Sequence, residues 1–288
     1  MTQAQDNNHR ERNPQSTPYH PQAPWPCMRG DVRGTGYSSR PFVPDPAVPR
    51  QVRHFRTAGG VFSTPIIGPD EIIYTGSADC LFYAHDPISG QEQWRFETGE
   101  VIDSAACMGD DGTLYVPSGD ASIYALDPAG SQRWRLDMLK DRTQFSPSTM
   151  YWWEGNIVMG PNGLLFAGSD DFNLYAIDRQ GKVDWAALTG LCIWTAPSFG
   201  ADGAVYVNSF DTCTWAFDAT TGEVKWRTST GNFIASSPAV ADDGTVYFGS
   251  FDRMIYGLDG RTGKVGTRVA TGGSVYGSPA LAPDGMLY

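Results

Sequence analysis

The chain has 288 residues, a net charge of −11 and a hydrophobic fraction of 41%. That apolar share is enough to bury a sizeable core. The acidic balance repels phosphate backbones and anionic lipid surfaces, so nucleic acid is not expected as a partner, and no apolar run reaches the roughly 18 residues of a membrane-spanning helix.

Residues 1–24 are polar and proline-rich, with no apolar segment of the signal-peptide kind, and are predicted to be a disordered arm. Taken as written, this start implies a cytoplasmic protein; a misassigned start would allow export. Residues 25–49 read as a lead-in and residues 50–288 as one repetitive domain.

The repetition is visible in FSTPIIGPDEIIYTGSADCLFYAHDPISGQEQW from Phe62, WTAPSFGADGAVYVNSFDTCTWAFDATTGEVKW from Trp194 and ASSPAVADDGTVYFGSFDRMIYGLDGRTGKVG from Ala235. A proline position recurs at 65, 106 (Ala), 147, 197, 238 and 279, in steps of 41, 41, 50, 41 and 41. A period near 40 marks a propeller or an array. After Pro238 comes a short apolar run, Ala239–Ala241, and then a hairpin turn at Asp242-Asp243-Gly244, where glycine supplies the positive φ. Thr245–Ser250, Met254–Leu258 and Lys264–Ala270 are β-branched or aromatic runs divided by turn residues, hence strands. The predicted fold is therefore all-β: a β-propeller of four-stranded antiparallel blades, with five complete repeats and a partial sixth that stops at Tyr288. Gln51–Thr57 resembles the outer strand of a blade, so the first and last pieces either share one composite blade or belong to a truncated ring; truncation is preferred.

Residues that recur at fixed places are read as structural. Trp94, Trp134, Trp185 and Trp226 fall on successive outer strands, where an indole can wedge between blades. Asp79, Asp120, Asp171, Asp211 and Asp252 follow the second strand, and Asp86, Asp127, Asp178, Asp218 and Asp259 end the third, as turn-forming residues do. Cys27, Cys80, Cys107, Cys192 and Cys213 have no close pair, and the last four are expected to be small buried thiols. The four histidines are scattered, so no metal site is expected.

Departures from the pattern are the candidates for function. The residues three before the proline position are Phe62, Asp103, Gln144, Trp194, Ala235 and Tyr276, a varied ring on a regular scaffold. Asp103 is the one carboxylate among them and the candidate general base or cation ligand, against a plain loop-capping role. The third repeat carries ten extra residues around SPSTMYWWEGNIVMG, from Ser146 to Gly160. In one register Ser146-Pro147 starts the inner strand and Tyr151-Trp152-Trp153 with Ile157-Val158-Met159 forms a protruding hairpin; in the other, Ile157–Gly163 matches Pro238–Gly244 and the surplus precedes the strand. The first register is preferred, and in either one Tyr151, Trp152 and Trp153 are read as a packing flap or as a recognition loop or lid.

The repeat resembles that of quinoprotein-type β-propellers, the PQQ-like repeat, over residues 50–288, and Trp25–Asp31 with Thr35–Ser38 resembles the lead-in of many such proteins. The Gly-His and Trp-Asp marks of WD repeats are absent. The resemblance implies two kinds of function. Quinone-dependent dehydrogenases of the family hold pyrroloquinoline quinone and calcium with a catalytic Asp, an adjacent-cysteine disulfide and a stacking Trp; the adjacent cysteines are missing here. Other relatives are interaction scaffolds, among them an outer-membrane assembly lipoprotein whose lipoprotein signal this chain lacks. No cofactor is expected. The leading expectation is a non-catalytic binding or scaffold propeller, with a protein or small molecule held at the axial mouth or the aromatic insertion. The alternative is an enzyme, either a quinone-dependent dehydrogenase fragment or a cofactor-free propeller enzyme using Asp103.

Overall fold

The computed structural model describes residues 18–20, 22–38, 54–138 and 155–288. Five four-stranded antiparallel sheets follow one another along the chain, each ordered as its strands are in sequence. The first blade is β1 (Ile66–Ile67), β2 (Ile73–Gly76), β3 (Leu81–His85) and β4 (Glu92–Glu97). The second is β5 (Cys107–Met108), β6 (Leu114–Ser118), β7 (Ser122–Leu126) and β8 (Gln132–Asp137). The third is β9 (Val158–Met159), β10 (Leu165–Gly168), β11 (Asn173–Ile177) and β12 (Val183–Leu188). The fourth is β13 (Ser198–Phe199), β14 (Ala204–Asn208), β15 (Cys213–Asp218) and β16 (Val224–Ser229). The fifth is β17 (Ala239–Val240), β18 (Thr245–Ser250), β19 (Met254–Asp259) and β20 (Val265–Ala270). The sixth repeat contributes a bridge between Leu281 and Leu287.

Middle strands such as β7 and β14 are buried on both faces, because each blade packs on the next. Tyr74 and Phe82 of the first blade share a cluster with Met108 and Leu114 of the second. Cys107 and Ile123 share one with Val158 and Tyr175, Phe166 with Phe199 and Val205, and Tyr206 with Val246 and Phe248. The recurring tryptophans fill the seams as expected. A Cβ on Gly130, Gly181, Gly222 or Gly263 would lie 2.7, 2.8, 2.7 and 2.6 Å from Trp94, Trp134, Trp185 and Trp226 respectively, so each indole lies against a side-chain-free turn of the following blade. Trp94, Trp134 and Trp226 also donate their indole N–H to Pro128, Arg179 and Gly260 carbonyls at 3.0, 2.8 and 2.8 Å. Among the described residues the Trp185 indole N–H has no acceptor; the equivalent carbonyl, Ala219, accepts from Asn162.

The aspartates after each second strand act as clamps. Asp252 accepts from the Met254 N–H, the Tyr256 hydroxyl and the Gly231 N–H of the preceding connector. Asp120 and Asp79 repeat the arrangement on Ser122, Tyr124 and Gly99, and on Leu81, Tyr83 and Ala58. Asp211 substitutes the Trp215 indole for the tyrosine. The residue after each clamp, Cys80, Ala121, Phe172, Thr212 or Arg253, has φ between 64° and 75°, a left-handed conformation held without glycine.

The third repeat overturns the preferred register. β9 pairs Val158 with Phe166 and Met159 with Leu165, so Ile157 takes the proline position and the expected hairpin of Ile157-Val158-Met159 is the inner strand itself. All three side chains are at most 1% exposed, and burying them outweighs the Ser-Pro mimicry upstream. Gln144 and Tyr151–Trp153 lie outside the described residues. Of the expected outer strand Gln51–Thr57, the described residues His54–Thr57 form no strand, and Phe55 stacks on His85 at 4.2 Å. Cys80 and Cys192 are only partly buried, in a turn and a connector, unlike Cys107 and Cys213.

The lead-in has a role that its sequence did not disclose. It passes from one inner strand to another and accepts from one equivalent backbone N–H in each of the six repeats. The N–H groups of Ile67, Met108, Phe199, Val240 and Leu281 donate to the carbonyls of Trp25, Pro26, Val32, Arg33 and Thr35 at 2.7–2.9 Å. In the third repeat the Met159 N–H donates to the Tyr19 hydroxyl at 3.2 Å. Tyr19, within the arm expected to be disordered, is 4% exposed and packs with Cys27, Cys107 and Met159. Arg29 fixes the curve of the segment by donating to the Gly34 carbonyl at 2.6 Å and to the Pro279 carbonyl.

Tyr19→Phe leaves the buried Met159 N–H without its acceptor and should cost about 1–3 kcal/mol in urea unfolding. Trp226→Phe should cost about 1 kcal/mol more than Trp185→Phe in the same assay, because only the first loses an indole hydrogen bond; equal losses would assign the seam to packing alone.

Candidate functional site

Each inner strand is preceded by residues at the end of the axis away from the lead-in's carbonyl contacts. Phe62, Asp103, Asn156, Trp194, Ala235 and Tyr276 come together there around a cavity of about 460 Å³, with Met28 of the lead-in also lining it. Every repeat contributes, which is how a repeated scaffold makes one unrepeated site. The sequence placed Phe62, Asp103, Trp194 and Tyr276 in this ring. In the corrected register Glu154 rather than Gln144 takes the ring position of the third repeat, and both lie outside the described residues.

Asn156 was missed, because the register error hid it. It belongs to a set of positions that stitch neighbouring repeats at this mouth. The Ala105 N–H donates to Asn156 Oδ1 at 2.8 Å, the Ala196 N–H to Ser237 Oγ at 2.9 Å and the Ser237 N–H to Ser278 Oγ at 2.8 Å. Asn156 Nδ2 also reaches the Trp194 carbonyl at 3.3 Å.

Asp170 was missed for a different reason: it adjoins the clamp Asp171 and looks like part of the same turn. It is 4% exposed and accepts the Trp194 indole N–H at 2.6 Å. Burial pushes its carboxyl above the ordinary aspartate range, Trp194 opposes this, and the charge of Asp103 adds to it. Burial likewise pushes Asp103 up, opposed by backbone hydrogen bonding and by Ser104, whose Oγ lies 3.4 Å away. Asp103 lines the mouth, and its charge disfavours that of Asp170, which holds Trp194.

From Trp194 an aromatic ladder follows the rim. Its ring centroids step from Trp194 to Phe210 at 4.5 Å, to Phe233 at 5.3 Å, to Phe251 at 4.0 Å and to Tyr276 at 5.7 Å. The equivalents of Phe210 and Phe251 in the first three repeats are Ala78, Gly119 and Asp170, so the ladder belongs to one side of the mouth. A second cavity, of about 590 Å³, opens beside the lead-in between Tyr37, Asp242 and Tyr247. It draws on fewer repeats, and Arg33 already pairs with Asp242 there.

A carboxyl whose pKa is raised in the folded state weakens the fold when ionised, and the penalty is relieved as pH falls through that raised value. Asp170→Asn keeps an oxygen for Trp194 and removes the charge. It should raise the melting temperature at pH 7, with the gain shrinking as pH is lowered towards the ordinary aspartate pKa of about 4. A variant that melts lower at every pH would show that the charge is not a burden.

The sequence profile described as outer membrane protein assembly factor BamB matches residues 78–147 and 120–284. A search of the curated proteins by sequence finds no match. Among solved structures, the quinohemoprotein alcohol dehydrogenase from Comamonas testosteroni superposes with a TM-score of 0.68 at 15% identity, over 93% of this chain and 53% of its own. This chain thus spans about half the length of that enzyme. BamB from Moraxella catarrhalis superposes at 0.53 and 16% identity, over 81% of this chain and 86% of its own. The WD40 propeller domain of Doa1 gives 0.59 and 13%, over 78% and 73%. These structures share the propeller architecture, and the profile match extends over more than half of the sequence: the chain belongs to the PQQ-like repeat family of β-propellers.

Proposed function

We propose that this chain is a binding propeller that engages a protein partner at the open axial mouth. The observation that carries this reading is the aromatic ladder. Its end members Trp194 and Tyr276 are 37% and 65% exposed, and Phe62 across the cavity is 74% exposed. Large apolar side chains held together at a rim mark a contact surface. The family profile, described by an assembly factor, supports a protein rather than a small molecule as the partner.

A quinone and calcium, as the dehydrogenase relatives would suggest, do not fit the residues at hand. Calcium takes about six to eight oxygens. Among the described residues, the side-chain oxygens at or beside the mouth include those of Asp103, of Asp170, already bonded to Trp194, and of Asn156, whose Oδ1 already holds a backbone N–H. Among the described residues no group of three His, Cys, Asp or Glu side chains gathers, and all five cysteines are free. No reaction step is therefore assigned to such a group.

A photo-crosslinking amino acid placed at Phe62 or Tyr276 in the full chain in cells should give a discrete protein adduct. The same group at Ile88, exposed at 76% on a peripheral turn, should not. Adducts from Ile88 alone, or from no position, would refute a partner at the mouth.

A further inference from the structure

The chemistry of the mouth is more selective than an apolar contact requires. Three of its ring residues are aromatic, Phe62, Trp194 and Tyr276, and a fourth is Asp103. Among the described residues no lysine, arginine or histidine lines the cavity. Asp103 and the Asp170 behind Trp194 form no ion pair among the described residues, in a chain with a net charge of −11. Carboxylates held in such a setting are costly until a cation joins them.

The rings favour the same kind of ligand. An aromatic face attracts a cation through its quadrupole, most strongly for an indole. Trp194 donates its N–H to a carboxylate at 2.6 Å, which polarises the indole towards greater electron density on its face. A cavity of about 460 Å³ is larger than a single ammonium or guanidinium group needs and admits a side chain with part of its backbone. Beyond the cavity, Phe210, Phe233 and Phe251 continue the apolar surface along the rim. A free small cation would leave that surface uncovered; a protein segment would cover it.

We propose that the open mouth is an aromatic box for an organic cation carried by a partner protein, an arginine or lysine side chain that enters between Phe62, Trp194 and Tyr276 and ends on Asp103. The proposal rests on the protein-binding reading above and adds the group that is recognised. Phe62 and Tyr276 supply ring faces, Trp194 supplies the polarised indole, and Asp170 positions Trp194 while adding negative potential.

The test is calorimetric titration of the full chain with the blocked peptide Gly-Gly-Arg-Gly-Gly. The comparators are the same peptide with citrulline in place of arginine, and choline as a free quaternary ammonium. The arginine peptide should bind, the citrulline peptide at least tenfold more weakly, and choline more weakly than the arginine peptide. Asp103→Asn should lower the arginine-peptide affinity about fivefold or more with an unchanged far-ultraviolet spectrum, and Trp194→Leu should do the same independently. Equal binding of the arginine and citrulline peptides, absence of binding, or unchanged affinity in both variants would overturn the proposal. Tighter binding of choline would overturn it in favour of a free ligand. If crosslinks from Phe62 and Tyr276 persist while the arginine peptide fails to bind, the partner site stands and the cation falls.

Discussion

The arrangement of this propeller depends on one row of backbone hydrogen bonds. The innermost strand of a blade is the edge of its sheet, and its outward N–H groups face the axis without a neighbouring strand. A buried N–H without an acceptor is costly. Here one segment, from Tyr19 to Thr35, answers the same N–H in all six repeats, five times with a carbonyl and once with a phenol. The segment thereby does what no single blade can do: it sets the inner strands in register with one another. Its Met28 also reaches the mouth where the ring residues converge.

The remaining devices are local and repeated. The clamp aspartates join a turn, a strand and a connector, and the tryptophans join one blade to the next. Where repetition lapses, the group released is used elsewhere. The Ala219 carbonyl accepts from Asn162, and the Trp185 indole N–H has no partner among the described residues. Position 170 holds an aspartate where the fourth and fifth repeats hold phenylalanine, and that aspartate holds the Trp194 indole of the next repeat. Function in such a fold is written in exceptions, because the rule is fully occupied with holding blades together.

This explains what was legible in the sequence and what was not. Strands, turns, clamps and seam tryptophans were readable because each appears several times under the same physical demand. The ring positions 62, 103, 194 and 276 were readable because the period fixes them. The register of the third repeat was not: Ser146-Pro147 imitates the start of an inner strand, while the true start has Ile157 in place of proline, and only three-dimensional burial of Ile157, Val158 and Met159 decides between them. Asp170 was masked by its neighbour Asp171. Tyr19 lies in a polar stretch whose composition argues for disorder, and nothing local reveals that its hydroxyl has a partner at Met159. Long-range backbone pairing leaves no local pattern to read.

The axial segment also bears on the order of events in folding. Trp25 to Thr35 accept hydrogen bonds from repeats spread as far as Leu281. Contacts of such sequence separation form slowly, because loop closure must precede the reward. The segment is synthesised before any of the strands it serves, so its six contacts are complete only once Leu281 has followed, and the inner strands made in the meantime keep unfinished edges.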